Sequence, residues 1–226
     1  MADETGSRDA ILSRIRSQAA TKPQAERMAD VEARISSHKR GILPAGPRSL
    51  IKRVERFTQK AEAAQSTVAQ VSPPKLAKAV SEWLREHNLP AEIRIGQDPR
   101  LSPLKKSGAK LMTVNSGKAD PADITGVSFA ECGIAESGTI AMLSGKANPT
   151  TLNFVPENHI TIVNESDILS HYEELWPRLR RRFGRGKMPR TVNFITGPSR
   201  SADIEQTLIL GAHGPVRHHI IIVKGA

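Results

Sequence analysis

The chain reads as an α/β protein with a mostly parallel sheet flanked by helices and a helical arm at its N-terminal end. From Arg48 onward, short β-branched runs alternate with helix-spaced apolar segments, the pattern of strand–helix units that build a parallel sheet. Arg217 to Val223 ends in an unbroken apolar run, as strands covered on both faces do. Two polar turns, Ala135-Glu136-Ser137-Gly138-Thr139 and Gly197-Pro198-Ser199 through Asp203-Ile204-Glu205, stand at the ends of strand-like runs. Open α/β sheets place their binding crevices at such points.

Taken in order, residues 7–40 are polar and helix-prone, with Ile11, Leu12 and Ile15 on one face and Val31 and Ile35 on a second segment. Gly41 to Pro47, with two glycines and two prolines, reads as a linker. The expected division is therefore an arm and linker over residues 1–43 and an α/β domain over residues 44–226. The arm needs a partner surface, either the main domain or another subunit. Leu50, Ile51, Val54 and Phe57 are spaced for a helix face. Thr67 to Val71 is a strand candidate, and Pro73-Pro74 opens a helix running to His87, since proline suits a helix's first turn. Ala91 to Ile95 alternates like a half-buried strand, and Lys110 to Val114 is a further strand. Phe129 to Ala135, Thr139 to Leu143 and His159 to Val163 follow as strands.

Ser166 or Asp167 is placed to cap a helix whose face is Leu169, Tyr172, Leu175, Trp176, Leu179 and Phe183. Pro177 opposes it, because an interior proline costs about 3 kcal/mol, so a kink or break is expected there. Thr191 to Thr196 reads as a strand, Ser201 to Leu210 as a helix, and Arg217 to Val223 as the final buried strand.

At 226 residues the chain is long enough for one domain with an appendage or two small domains. Folding at this size buries roughly 70% of the unfolded surface, so no covalent staple is required. With five Phe, two Trp and one Tyr, the core is necessarily aliphatic. Cys132 is the sole cysteine, so the chain holds neither an internal disulfide nor a four-cysteine zinc or iron–sulfur site. Its apolar setting predicts a buried small hydrophobe. No apolar stretch reaches membrane-spanning length and the first residues lack a signal-peptide core, so a cytoplasmic protein is the expectation.

The net charge is +10, and more than half of the excess lies in residues 1–60. A second basic cluster comprises Arg178, Arg180, Arg181, Arg182, Arg185, Lys187 and Arg190. Such a patch can bind nucleic acid or acidic partners. It equally suits a solvated helix end, where cations complement the dipole. Without interleaved aromatics or a nucleic-acid motif, the helix-end reading is preferred and nucleic acid is not expected as a partner.

A phosphate loop is excluded, because six residues separate Gly138 from Gly145-Lys146 and Ala147 replaces the Ser or Thr that follows. No glycine triplet of the dinucleotide type follows a strand. In the first turn, Gly138 permits positive φ or close approach, and Ser137 and Thr139 supply hydroxyls. Glu136 can serve as nucleophile, base or acceptor, although a tight solvated turn explains the same residues. In the second, Ser199 or Ser201 can cap the expected helix, with Asp203 and Glu205 at its positive end. Alternatively, the free N–H groups there hold a ligand. His213-Gly214-Pro215 is a turn signature, while His218 and His219, adjacent in a strand, point to opposite faces and cannot chelate together. No metal site is expected.

Ile134-Ala135-Glu136-Ser137-Gly138-Thr139-Ile140 resembles the Ala-Glu-Thr-Gly-Thr signature of the LUD-domain family, in its LutC/YkgG lactate-utilisation branch, with Ser137 in place of the usual threonine. Val192 to Ser199 through Asp203-Ile204-Glu205, then Gly211 to Pro215, are similar to its second signature, and Asn148-Pro149 and Pro156 to Ile160 fit the segment between. The resemblance spans roughly Pro44 to Val223. It implies a fold like that of the ribose-5-phosphate isomerases, glucosamine-phosphate deaminases and CoA transferases (NagB/RpiA/CoA-transferase-like). It implies a role in oxidising L-lactate to pyruvate beside iron–sulfur partner subunits of the LutA-like and LutB-like kinds, this chain carrying no cofactor of its own. The implied ligand site comprises Glu136, Ser137, Gly138, Thr139, Gly197, Pro198, Ser199, Asp203, Glu205 and His213. Within the same fold, CoA transferases use a glutamate in a Glu-x-Gly turn as nucleophile, the form of Glu136-Ser137-Gly138. Acyl transfer through Glu136 is therefore the alternative.

Overall fold

The computed structural model describes residues 4–19, 22–39, 41–43, 45–106, 110–184, 186–202 and 208–225. The chain divides into two units, residues 1–43 and residues 44–226. The first unit contains helices α1 (Glu4–Ala19) and α2 (Gln24–Ser37). α2 stops at His38, whose left-handed backbone returns its N–H to the Arg34 carbonyl.

The second unit opens with α3 (Leu50–Ala63), capped by the Ser49 hydroxyl accepting from the Lys52 N–H. Its Val54, Phe57 and Ala61 are buried, as the helical spacing predicts, while Ile51 is exposed. Then follow β1 (Thr67–Val71), α4 (Leu76–Glu86), β2 (Glu92–Ile95), α5 (Ser102–Lys106), β3 (Thr113–Ser116) and β4 (Thr125–Phe129). β5 (Cys132–Ile134), β6 (Thr139–Leu143), β7 (Asn158–Asn164), β8 (Ile168–Leu169), α6 (Leu175–Phe183), β9 (Val192–Ile195), β10 (Arg200–Ala202), β11 (Leu208–Leu210) and β12 (Arg217–Val223) complete it.

Six strands form an all-parallel sheet in the order β1-β12-β7-β4-β2-β3. β7 and β12 are interior strands of this sheet and bury nearly every residue. The two-residue side-chain period divides them between two cores. Ile160, Ile162, Ile221 and Val223 pack with α4, whereas Val163, Ile220 and Ile222 face α3. A second sheet, β8-β5-β6-β9, contributes Ile140 and Met142 to the α3 core. On its other face Cys132, Ile134 and Ala141 meet Leu175 and Leu179 of α6. α3 is thus shared by both sheets.

Several sequence expectations are corrected. The run expected as one strand over Phe129 to Ala135 is divided: Phe129 ends β4 in the main sheet and Cys132 begins β5 in the small one. Ser166 and Asp167 cap no long helix but sit in a 3-10 turn leading into β8, and α6 begins only at Leu175. That start places Pro177 in the first turn, where it costs no internal hydrogen bond and breaks nothing. The helix expected over Ser201 to Leu210 is replaced at both ends by antiparallel β10 and β11, paired Arg200 with Leu210 and Ala202 with Leu208; residues 203–207 lie outside the described residues.

The basic cluster is also not simply a solvated helix end. Glu131, buried beside Cys132, accepts from Arg178 Nε at 2.8 Å and from Arg182 Nη1, while Arg178 also reaches Asp167 at 2.8 Å. Arg185 lies outside the described residues.

Candidate functional site

The two polar turns are brought side by side by strand pairing. β6 and β9 run antiparallel with Ile140 opposite Ile195, so Thr139 at the start of one meets Thr196 at the end of the other. Their hydroxyls lie 2.7 Å apart. Thr139 also meets Tyr172 Oη at 2.8 Å, and Ser137 closes the cluster at 2.7 Å from both Thr139 and Tyr172. The hydroxyls of the first turn therefore satisfy one another.

Both turn glycines are explained by the C-terminal end of α3. Gly138 has φ +70°, and a Cβ there would stand 2.2 Å from the Ala61 backbone nitrogen. Gly197 has φ +81°, and its Cβ would stand 2.0 Å from the Ala64 carbonyl oxygen. Left-handed backbone and close helix approach each require glycine, so Gly138 makes its close contact with a helix. Glu136 Oε2 lies 3.4 Å from Nδ1 of the buried His171, an ion-pair distance without hydrogen-bond geometry.

The second turn walls a cavity of about 280 Å³. Its described lining includes Gly197, Pro198 and Ser199 with His213, Gly214 and Pro215, and Phe154, Phe194 and Ile195 supply apolar surface. Ser199 is tied into this wall by its N–H to the Pro215 carbonyl and its carbonyl to the Gly211 N–H. Glu136, Ser137, Gly138 and Thr139 do not line it, although Thr196 connects their hydroxyl cluster to its edge. Asp203 and Glu205 lie outside the described residues.

The cavity floor comes from residues the sequence reading did not assign to a site. His159 and His218 are the second residues of β7 and β12, paired in register and pointing to the same face of the sheet. Their rings stack with centroids 5.6 Å apart. The cavity thus lies at the amino-terminal ends of β7 and β12 and beyond the carboxyl end of β9, spanning the two sheets. Burial alone lowers His159 to a pKa of about 4, and burial with help from the neighbouring imidazoles lowers His218 well below the usual imidazole range. Both rings are neutral near pH 7.

A buried hydrogen-bond chain runs beneath them. Ser66 Oγ lies 2.9 Å from His218 Nδ1, His218 Nε2 lies 3.0 Å from Thr161 Oγ1, and Thr161 Oγ1 lies 3.5 Å from His159 Nδ1. The chain stops at His159 Nε2, which is buried without a hydrogen-bond partner among the described residues. Asn153 repeats the pattern: its Oδ1 accepts from the Ser128 hydroxyl at 3.2 Å, while its buried Nδ2 has no such partner. An unpaired buried polar group costs about 1–3 kcal/mol, and both of these belong to residues that line the cavity. His219 turns to the opposite face, stacked on Trp83 and hydrogen-bonded to Thr67, as strand parity requires. Elsewhere, the cavity beside Arg94 and Asp123 has its one cation among the described residues already paired, Arg94 Nε donating to Asp123 at 2.7 Å.

Such a molecule is an open α/β protein with a second sheet closing a small polar cavity over the main one. A crystal structure of a DUF162 family protein from Deinococcus radiodurans has a similar fold, with a TM-score of 0.58 and 21% identity over 78% of this chain and 99% of that one. The LUD domain model matches residues 54–223, and the chain belongs to the LUD domain family. Among its relatives, lactate utilization protein C of Halalkalibacterium halodurans is 32% identical over 169 residues, 70% of this chain and 73% of that protein. Lactate utilization protein C of Bacillus subtilis is 38% identical over 111 residues, 49% of this chain and 46% of that protein. The chain thus aligns with about three quarters of one relative and about half of the other.

Proposed function

We propose that this chain is an accessory, non-redox component of a system that oxidises L-lactate to pyruvate, and that it binds a small polar ligand in the cavity floored by His159 and His218. The observation that carries the ligand site is that two residues lining one cavity inside the family-matched region, His159 and Asn153, each hold a buried polar atom, Nε2 and Nδ2, without a partner among the described residues. The relatives named for lactate utilisation supply the process. Electron transfer belongs to iron–sulfur partner subunits on this reading, since one cysteine cannot ligate a four-cysteine cluster. No helix among the described residues is long and apolar enough to cross a membrane.

The test is complementation. In a host deprived of its own copy, the wild-type gene restores growth on L-lactate, whereas Asn153→Leu and His159→Phe fail although both proteins melt near the wild type. Normal growth with both folded variants would remove the cavity from the function. Affinity purification from lactate-grown cells is expected to bring down iron–sulfur proteins with lactate-oxidising activity, and recovery of the chain without them would sink the accessory role.

A further inference from the structure

The cavity wall restricts the ligand's chemistry. Among its described residues Arg200 is the one permanent cation, Asp and Glu are absent, and the rest is polar-neutral or apolar. A single exposed guanidinium at the rim suits one carboxylate, which it can grip through two N–H groups. Phe154, Phe194, Ile195, Pro198 and Pro215 offer surface for a short alkyl group. A volume of about 280 Å³ lies at the small end of ligand cavities and accepts a small organic acid with room left for water.

The buried chain adds a less common property. A neutral imidazole donates from one nitrogen and accepts at the other, and a hydroxyl can do both. Two proton orders therefore satisfy Ser66, His218, Thr161 and His159. In one, Ser66 donates to His218 Nδ1, His218 Nε2–H donates to Thr161, and Thr161 donates to His159 Nδ1. His159, part of the cavity lining, then carries its proton on the unpartnered Nε2. In the other, every donor and acceptor is exchanged, and Nε2 presents a lone pair. The change moves no net charge.

Resting on the ligand-site reading above, we infer that the cavity takes small 2-hydroxy and 2-oxo monocarboxylates alike, the carboxylate on Arg200 and the 2-oxygen on His159 Nε2. A 2-oxo oxygen only accepts and needs the N–H order. A 2-hydroxyl can donate and is served by the lone-pair order. Asn153 Nδ2 supplies a further donor to either. The site therefore accommodates both members of a two-electron couple, the property required of a component that holds substrate and product in turn.

The test is calorimetric titration of the full chain with L-lactate, pyruvate and propionate, the last lacking the 2-oxygen. Lactate and pyruvate are expected to bind within about tenfold of each other and propionate at least about tenfold more weakly, because it leaves His159 Nε2 unpaired. Thr161→Val cuts the chain without changing its shape and is expected to alter the lactate-to-pyruvate affinity ratio by about tenfold, a readout that general destabilisation does not move. Ser66→Ala, at the far end, is the second variant and should shift the ratio in the same direction. Propionate binding as well as lactate, an unchanged ratio in both variants, or no binding of any of the three acids would each overturn the inference. If no acid binds yet His159→Phe still abolishes growth on lactate, the ligand-site reading survives and this assignment of its ligand does not. If growth is also unaffected, both fall.

Discussion

Gly138→Ala isolates what holds the first polar turn in place. The new Cβ would lie 2.2 Å from the Ala61 nitrogen, 2.5 Å from the Lys60 carbonyl carbon and 2.7 Å from the Ala61 Cα. All three atoms are helix backbone, so no side chain can swing aside. A left-handed alanine costs about 1–2 kcal/mol. Forcing volume into a packed site adds about 1–3 kcal/mol. The expected loss is therefore about 2–5 kcal/mol, which for a domain of this size lowers Tm by roughly 5–15 °C. Two other glycines separate the contributions. Gly186 shares the positive φ, at +71°, but has nothing within 4 Å of its Cβ position, so Gly186→Ala should show the backbone strain alone. Gly145 has open space and no positive φ, so Gly145→Ala should melt with the wild type. The assay is thermal unfolding by circular dichroism or calorimetry on all four proteins. A Gly138→Ala protein no less stable than Gly186→Ala would refute the packing argument.

Stability should also fall with acid in a defined window. His159 and His219 are held at about 4 and His218 well below the usual imidazole range, mainly by burial; His159 and His218 stack on each other, and His219 has Trp83 against its ring and the His87 charge nearby. Unfolded histidines titrate near 6.5, so below that pH the unfolded chain takes up protons that the folded one refuses. Each buried histidine then costs on the order of 1 kcal/mol per pH unit between about 6.5 and 4, with no contribution above. Urea midpoints at pH 7.5, 6 and 5 check this, and a flat profile would count against burial of the neutral rings. Glu131→Ala leaves Arg178 with Asp167 alone and Arg182 unpaired; solvent reaches both guanidinium groups, so the expected cost is about 2 kcal/mol, read as a lower urea midpoint at constant m. Cys132, fully buried with its thiol pushed up to about 12, should resist thiol reagents in the native protein and react at once in denaturant; rapid native labelling would contradict its place in the core.

The parallel sheet was legible because β12 ends in an unbroken apolar run, β7 carries Ile160, Ile162 and Val163, and the helices carry well-spaced faces. The small sheet was not. β5 has three residues and β8 two, too short to show alternation, and β4 runs into β5 through residues that are all buried. The hairpin after Ser199 looked helical because Asp203 and Glu205 resemble first-turn acids. Each strand of the pair, Arg200 to Ala202 and Leu208 to Leu210, has three residues, too few to show alternation. At the site, Gly197, Pro198, Ser199 and His213 stood out through turn chemistry, and the structure places them on one cavity. His159 and His218 did not, since each alone is an ordinary strand histidine. They meet only because β7 and β12 pair in register. Aligning the two apolar strands, each with an imidazole at its second position, was the available clue.

The end of α3 holds both turns from one place: Gly138 rests on Lys60 and Ala61, Gly197 on Ala64, and Gln65, at φ +68°, stops the helix beyond them. Turn geometry and helix length are therefore not separable traits. A chimera that takes either turn from a relative but keeps this helix end would place a foreign loop on an ill-fitting support. The exchangeable block is the helix from Leu50 through Gln65 together with both turns, although they lie far apart along the chain.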